Sequence, residues 1–237
     1  MQLVTDCYDA DRLLVARDDL IPGGTKARAL PAYLDAIDAA GEVVYAGPVY
    51  GYAQIAVAYA AAATGRRATV FVAARKKPHS RTLEAKTAGA KVVQVRPGYL
   101  SNVEAKARGY CELVGATALP FGLDDPVFSQ LLAKSVIDAG ARHYSPDVVW
   151  CAAGSGTLSR TLATVWPTAT INAVAVGKHV EASGGIDEVY SAPEKFEADA
   201  RKPPPFPSCS NYDAKVWRFV TGRSNPHLTH LFWNVAA

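Results

Sequence analysis

The stretch from Tyr45 to Val95, YAGPVYGYAQIAVAYAAAATGRRATVFVAARKKPHSRTLEAKTAGAKVVQV, alternates short β-branched runs with alanine-rich segments. The runs TVFV and KVVQV are typical of buried strands, and the segments between them end in Gly65 and Gly89, as helices do. Ser80 is predicted to cap the second helix. Strands joined by helices of this length form βαβ units, so the stretch predicts a parallel sheet with helices on its faces.

The same alternation continues on both sides of this stretch. EVVYAG precedes it as a strand, and DVVWCAAG, TINAVAVG and HLTHLFWNVAA predict further strands, with helices at PVFSQLLAKSVIDAG, GTLSRTLATVW and NYDAKVWRFVTG. The proline-rich segment from Glu181 to Pro207 interrupts the pattern and is predicted to be a surface loop. The fold class is α/β, a three-layer αβα arrangement with parallel sheets.

Two lobes are predicted from this order. Residues 42–122 form a smaller α/β lobe, inserted into a larger lobe made of residues 1–41 and 123–237, and a ligand is expected in the cleft between them. A chain of 237 residues is long enough for both lobes to bury a core.

The composition indicates a folded, soluble protein. Apolar residues make up 49% of the chain and charged residues 20%, and the longest apolar run, AQIAVAYAAAA, is too short to span a bilayer. A net charge of +3 permits a phosphate or nucleic-acid partner without requiring one. The cysteines are far apart and no apolar leader is evident, which predicts a reduced, cytoplasmic setting with Cys111 and Cys151 in the core. The histidines show no metal-ligand spacing, so no metal is expected.

A glycine-rich turn follows one of the predicted strands, in CAAGSGTLSRTL from Cys151 to Leu162. The backbone N–H groups of such a turn and the start of the next helix converge on one point and favour an anion there, usually phosphate. The alternative is an ordinary strand-to-helix turn with Ser155 or Thr157 as the N-cap.

One lysine, Lys26, follows a Pro-Gly-Gly turn in DLIPGGTKARAL, from Asp19 to Leu30. A lysine held at such a turn can have its pKa lowered and act as a nucleophile toward an aldehyde. Taken alone, however, a lysine at a helix start is more often a solvated charge.

Four motifs together resemble the fold type II, or tryptophan-synthase-β-like, family of pyridoxal-phosphate (PLP) enzymes. They are GGTKARAL, the junction YGYAQIAVAYAA with the later run TLEAKTAGAKVVQV, the turn AAGSGT, and YDAK from Tyr212 to Lys215. Their order is the family order, and they are most similar to the branch that contains aminocyclopropane-carboxylate deaminase and D-cysteine desulfhydrase.

The resemblance implies a role for each motif. Lys26 would be the Schiff-base lysine, and the phosphate of the cofactor would lie on the turn formed by Ala153, Gly154, Ser155, Gly156 and Thr157. Tyr212 would lie at the cofactor with a catalytic role, and Asp213 would pair with the pyridine nitrogen. A carboxylate there keeps the ring protonated and makes it a stronger electron sink. Without the other motifs, Asp213 would instead be interpreted as an acid of a first helical turn, where it favours the helix N-terminus.

The chain departs from the family in the loop that follows the EVVYA strand. Tyr50 stands where the family has a serine and Tyr52 where it has an asparagine, so the expected substrate-binding residues are Tyr50, Gly51, Tyr52 and Tyr212. The Tyr52 phenol could still donate to the 3′-oxygen of the cofactor, but the two rings change the shape and polarity of the pocket.

The resemblance implies a PLP-dependent lyase that breaks a bond at Cα of a small amino-acid-like substrate, by deamination, elimination or decarboxylation. A variant of this hypothesis is decarboxylation of an amino acid attached to a thymine base in phage DNA, in the host cytoplasm. The DNA phosphates would then be contacted by five basic residues: Arg66, Arg67, Arg75, Lys76 and Lys77. The alternative for these residues, favoured without other evidence, is that they are solvated charges at the ends of strands and loops. The other hypotheses are a non-catalytic PLP-binding protein and a cofactor-free α/β binding module. A homodimer is expected from the family.

Overall fold

The computed structural model describes residues 3–8, 13–177, 179–223 and 225–237. In these ranges the chain forms strands and α-helices in an alternating order. The strands are β1 (Thr5–Tyr8), β2 (Leu13–Arg17), β3 (Glu42–Ala46), β4 (Arg67–Ala73), β5 (Lys91–Val95), β6 (Thr117–Leu119), β7 (Val148–Ala153), β8 (Thr170–Ala175), β9 (Glu188–Ser191) and β10 (His230–Asn234). The α-helices are α1 (Leu30–Ala36), α2 (Ala53–Ala63), α3 (Ser80–Thr87), α4 (Leu100–Val114), α5 (Pro126–Asp138), α6 (Thr157–Val165) and α7 (Trp217–Arg223).

The strands form two sheets. One has the order β5-β4-β3-β6 and is parallel throughout, and the other has the order β1-β2-β10-β7-β8-β9, in which only β1 is antiparallel to its neighbour. The predicted α/β class with parallel sheets is therefore confirmed. In both sheets the loops that follow parallel strands leave from the same edge, which is the edge where α/β proteins bind ligands.

The chain divides into two compact units. One contains residues 22–128 and the other residues 1–21 and 129–237. The first unit includes more than the segment 42–122 predicted as the smaller lobe. It also contains Lys26 and α1, because α1 and the turn around Lys26 pack against α2.

The structure corrects two local predictions and adds two strands that were not predicted. The segment from Glu181 to Pro207 is not a loop throughout, because β9 lies within it and pairs with β8. The N-cap of α3 is His79, not Ser80: its Nδ1 accepts a 3.3 Å hydrogen bond from the N–H of Arg81. The N-terminal strands β1 and β2 were not predicted, and β2 is held by parallel pairing with β10.

Helix α2 is apolar on nearly all its faces, since alanines, Ile55 and Val57 are buried along it. A helix of this kind is packed on several sides. Its small side chains let backbone approach closely: a Cβ on Gly23 would lie 2.8 Å from the Cα of Ala56, and Gly23 has a φ of +89°. Gly23 therefore places the Lys26 turn directly on α2.

Gly23→Ala should destabilise the protein strongly, because the new Cβ overlaps a helix backbone and the left-handed φ is strained for alanine. We expect the free energy of unfolding to fall by about 2–4 kcal/mol. Gly65→Ala is the matched control, with a φ of +67° but no atom within 4 Å of the new Cβ; it should cost about 1 kcal/mol. Urea unfolding of both variants measures the difference, and equal losses would contradict the close approach.

Candidate active site

Lys26 lies in a short 3-10 helix, Thr25–Arg28, directly after the Gly23–Gly24 turn. Its Nζ donates a 2.6 Å hydrogen bond to the carbonyl of Gly122 and lies 5.6 Å from the centre of the Phe128 ring. Burial disfavours the ammonium form and lowers the pKa of Lys26 to about 8, although the Asp124 carboxylate acts in the opposite direction. Lys26 is thus a half-buried amine that can react at mildly alkaline pH, rather than a solvated surface charge.

The partner of Lys26, Gly122, is itself held by Tyr45. The Tyr45 side chain is 3% exposed and hydrogen-bonds to the backbone of Gly122, and burial raises its pKa to about 12. Tyr45 therefore holds the backbone of Gly122, whose carbonyl accepts the lysine's hydrogen bond. Neither residue belongs to a motif in the sequence. The one signal was a phenol at a buried strand position, where a hydroxyl needs a partner.

The loop with Tyr50, Gly51 and Tyr52 joins β3 to α2 in the same unit. Gln54, buried in the first turn of α2, donates 2.9 Å hydrogen bonds from its side-chain amide to the carbonyls of Val49 and Gly51. The Gln54 side chain of α2 therefore stabilises the conformation of this loop. The Tyr50 ring packs edge-on against His79, with ring centres 4.8 Å apart.

The glycine-rich turn lies in the other unit, between the end of β7 at Ala153 and the start of α6 at Thr157. The N-cap of α6 is Gly156, with a φ of +82°, which has no side chain to cap the helix. The N–H of Thr157 donates a long hydrogen bond of 3.5 Å to the Ser155 hydroxyl. The hydroxyls of Ser155 and Thr157 lie 2.9 Å apart. The N-cap is therefore neither Ser155 nor Thr157, and the start of α6 keeps the backbone geometry that favours an anion.

Tyr212 lies against this turn. Its hydroxyl would be 3.2 Å from a Cβ on Gly154, and it hydrogen-bonds to the Gly154 backbone. Burial, together with the neighbouring Asp213 carboxylate, raises the pKa of Tyr212 well above its ordinary value. The phenol therefore stays protonated at any physiological pH, and a side chain at position 154 would displace it.

Asp213 is fully buried, and its Oδ2 accepts a 3.2 Å hydrogen bond from the N–H of Ala236. It is also the first residue of the 3-10 helix Asp213–Val216. Lys215 of the same motif is buried as well, and its Nζ donates to the carbonyls of Lys195 (2.8 Å) and Phe196 (3.3 Å). The YDAK motif is thus an interior feature of its unit.

The structure places the sequence-predicted site residues in two groups. Lys26, Tyr50, Gly51 and Tyr52 belong to the unit of residues 22–128. The other unit brings together the turn of residues 153–157 with Tyr212 and Asp213.

The remaining motif residues have structural contacts. His230 is buried in β10, and its Nδ1 accepts a 3.1 Å hydrogen bond from the indole of Trp150. In the ranges that the structure describes, no group of three or more His, Cys, Asp or Glu side chains is placed to hold a metal ion. None of the helices in those ranges is long and apolar enough to cross a membrane.

Neither a protein-family model nor a curated protein matches the chain. Solved structures do match it. The first is an ACC deaminase homologue, with a TM-score of 0.81 at 17% identity over 100% of this chain and 89% of that one. O-acetylserine-dependent cystathionine β-synthase from Helicobacter pylori matches with a TM-score of 0.75 at 12% identity over 100% and 93%. A pyridoxal 5′-phosphate-dependent aspartate racemase matches with a TM-score of 0.65 at 15% identity over 95% and 83%.

These proteins are fold type II PLP enzymes. The chain described here has the fold of that class, which confirms the resemblance seen in its motifs.

The reactivity of Lys26 toward an acylating reagent should rise with pH around a midpoint of about 8, because only the neutral amine is nucleophilic. Asp124→Asn should move that midpoint to lower pH, since the carboxylate favours the ammonium form. Asp35→Asn is the control: Asp35 pairs with Arg66 at 2.7 Å and should leave the midpoint unchanged. Mass spectrometry of the Lys26 peptide after timed labelling measures the rate of acylation at each pH. If the midpoint is the same in Asp124→Asn as in the wild type, the proposed effect of the Asp124 carboxylate on Lys26 is wrong.

Proposed function

We propose that the protein is a PLP-dependent lyase that breaks a bond at Cα of an amino-acid substrate, with Lys26 as the lysine that binds the cofactor covalently. The observation that carries the proposal is the state of the Lys26 amine. It is half-buried, has a pKa lowered to about 8 and is directed at a backbone carbonyl, in a chain with the fold of PLP enzymes.

The residues present fit the cofactor. Its phosphate requires backbone donors without a side chain in the way. The turn of residues 153–157 supplies them, because a Cβ on Gly156 would lie 2.7 Å from the guanidinium of Arg160. Its aldehyde requires an amine that loses its proton easily, which Lys26 supplies. Tyr212 and Asp213 lie beside the same turn and would hold the ring.

PLP, when bound, supplies an electron sink for a carbanion at Cα. The residues of this chain then have separate tasks. Lys26 would take up or return a proton at Cα through Nζ, with the Gly122 carbonyl as the acceptor of its resting hydrogen bond. Tyr212 would keep its proton and act as a hydrogen-bond donor, and the Asp213 carboxylate would favour a protonated ring nitrogen. Deamination, elimination and decarboxylation all use this set of groups.

Loading the protein with PLP tests the proposal. The wild type should give a yellow protein whose visible absorbance band borohydride bleaches. Lys26→Ala should remove that band, because it removes the amine that is proposed to form the bond. Lys134→Ala is the control, since Lys134 is exposed on α5 and pairs with Asp138. A colourless wild type that gains no band with added PLP would overturn the proposal, and a loaded protein without turnover would indicate a binding protein rather than an enzyme.

Asp213→Asn separates the proposed role of Asp213 at the ring nitrogen from a purely structural one. If the carboxylate keeps the ring protonated, turnover of an amino acid consumed by the wild type should fall roughly 10²-fold while PLP stays bound.

Asp187→Asn is the matched control for Asp213→Asn. Asp187 also accepts a backbone hydrogen bond, 2.8 Å from the N–H of Ile171, and its loss should affect stability alone. If Asp213→Asn lowers only the melting temperature, as Asp187→Asn should, the ring-nitrogen role is wrong.

A second candidate is decarboxylation of an amino acid attached to a thymine base in DNA. It is supported by the exposed basic side chains of Arg75, Lys76 and Lys77, which follow β4. Arg66 and Arg67, at the start of β4, give no such support, because Arg66 forms an ion pair with Asp35 and Arg67 forms one with Glu42. Release of carbon dioxide from free amino acids, compared with its release from DNA that carries an amino-acid-modified thymine, distinguishes the two candidates.

A further inference from the structure

A buried lysine of the YDAK motif has no part in the chemistry described above. Lys215 is 1% exposed, and its Nζ donates to two successive backbone carbonyls, those of Lys195 at 2.8 Å and Phe196 at 3.3 Å. Both carbonyls belong to the stretch of chain that connects β9 to the YDAK motif. Lysines are seldom buried to this extent, because the ammonium loses its hydration. Here the backbone of that stretch replaces part of the hydration, so Lys215 holds its course.

The same stretch of chain also supplies negative charge to Lys215. Burial lowers the pKa of Lys215, and the carboxylates of Glu194, Glu197 and Asp199 act in the opposite direction. Glu194 is itself buried, and its Oε1 accepts a 3.3 Å hydrogen bond from the N–H of Arg201. Residues 194–201, here called the lysine-bound segment, therefore provide both the carbonyls and the carboxylates that stabilise the ammonium.

Further hydrogen bonds hold the lysine-bound segment beside the residues that precede Tyr212. The side-chain amide of Asn211 donates a 3.1 Å hydrogen bond to the carbonyl of Phe196, which is one of the two carbonyls that Lys215 contacts. The N–H of Ala200 donates to the carbonyl of Ser210 at 2.8 Å. The segment is therefore attached to the chain on both sides of Tyr212.

The Phe196 ring carries this attachment to Tyr212 itself. The two rings meet edge to face, with their centres 6.5 Å apart and their planes at 81°. The Phe196 ring also covers Gly177, where a Cβ would lie 3.4 Å from it. The Tyr212 hydroxyl hydrogen-bonds to the Gly154 backbone. Gly154 and Gly177 follow the parallel neighbours β7 and β8, so both rings lie at the edge where α/β sheets bind ligands.

We propose that Lys215 is a positioning residue for Tyr212 and that it acts through Phe196. Without the ammonium, the carbonyls of residues 195 and 196 lose a donor, the Phe196 ring is no longer held in one place, and the Tyr212 phenol moves from the Gly154 backbone. The consequence for a bound cofactor rests on the proposed function, but the dependence of Tyr212 on Lys215 does not.

Fluorine NMR of protein that contains fluorotyrosine tests this dependence without any cofactor. Tyr212→Phe identifies the resonance of Tyr212, because it removes that signal. Lys215→Met keeps an unbranched apolar side chain but removes the ammonium, and it should shift or broaden the Tyr212 resonance. Lys134→Met is the matched control in the same unit: Lys134 is exposed and pairs with Asp138, so its loss should leave the resonance unchanged.

A double-mutant cycle separates an effect through Phe196 from a direct one, since Lys215 follows Tyr212 by only three residues. Phe196→Leu keeps an apolar side chain and both backbone carbonyls, and it should displace the Tyr212 resonance by itself. Adding Lys215→Met to Phe196→Leu should then change that resonance little. If Lys215→Met has the same effect with either residue at position 196, the action through Phe196 is wrong.

An unchanged Tyr212 resonance in folded Lys215→Met protein, with only a lower melting temperature, would overturn the proposal and leave Lys215 a purely structural residue. If Lys215→Met does not fold, Lys215→Gln repeats the comparison, because it keeps a side-chain donor but shortens its reach. An unchanged Tyr212 resonance in that variant would overturn the proposal equally.

Loading with PLP distinguishes a failure of this proposal from a failure of the proposed function. In protein that has gained the visible band, Lys215→Met should shift the phosphorus NMR signal of the cofactor, because Tyr212 contacts the turn of residues 153–157. A protein that never gains the band, but whose Tyr212 resonance responds to Lys215→Met, would refute the proposed function and leave the positioning role of Lys215 standing.

Discussion

The close approach of a backbone turn to a helix is the constraint on which the position of Lys26 depends. Gly23 lies on the backbone of α2 at Ala56, where even a methyl group would overlap. From that turn the chain continues into the 3-10 helix that carries Lys26, and the lysine reaches the carbonyl of Gly122. Because α2 is built of alanines and other small apolar residues, its backbone can be approached in this way. The packing of Gly23 on α2 therefore sets the position of the Lys26 amine, and burial lowers the pKa of that amine.

Backbone groups have opposite hydrogen-bonding roles in the two units. At Lys26 a carbonyl accepts a hydrogen bond from an amine, whereas at residues 153–157 amide donors and a helix start favour an anion. A nucleophilic amine and a turn that favours an anion are what a covalently bound, phosphorylated aldehyde would require. The presence of both in a chain with this fold supports the proposal more than either motif alone.

The sequence predicted the parallel sheets because buried parallel strands are continuous β-branched runs that need no knowledge of their neighbours. It missed β2, whose strand character depends on pairing with β10 more than two hundred residues later in the chain. It missed β9 for a similar reason, since this edge strand has only two half-buried side chains, Val189 and Tyr190. Both segments are strands because they pair with distant strands, and local composition does not reveal that pairing.

The candidate site was predictable where its residues form a local motif and not where they meet through a single long-range contact. Lys26 and the 153–157 turn each have a motif in the sequence. The Gly122 carbonyl accepts from Lys26 and the Gly122 backbone hydrogen-bonds to Tyr45, and neither contact leaves a pattern in the sequence. Tyr50 and Tyr52 were visible as departures from the family pattern, but their stacking with Arg75 and Arg81 could not be predicted from the sequence.

The central claim is that Lys26 carries the cofactor. It is tested most directly by reducing the PLP-loaded protein with borohydride, digesting it and locating the pyridoxyl adduct by mass spectrometry. The account predicts that the adduct lies on the peptide containing Lys26 and that its yield rises with pH toward the midpoint of about 8. An adduct at another lysine, such as the buried Lys215, or the absence of any adduct would contradict it.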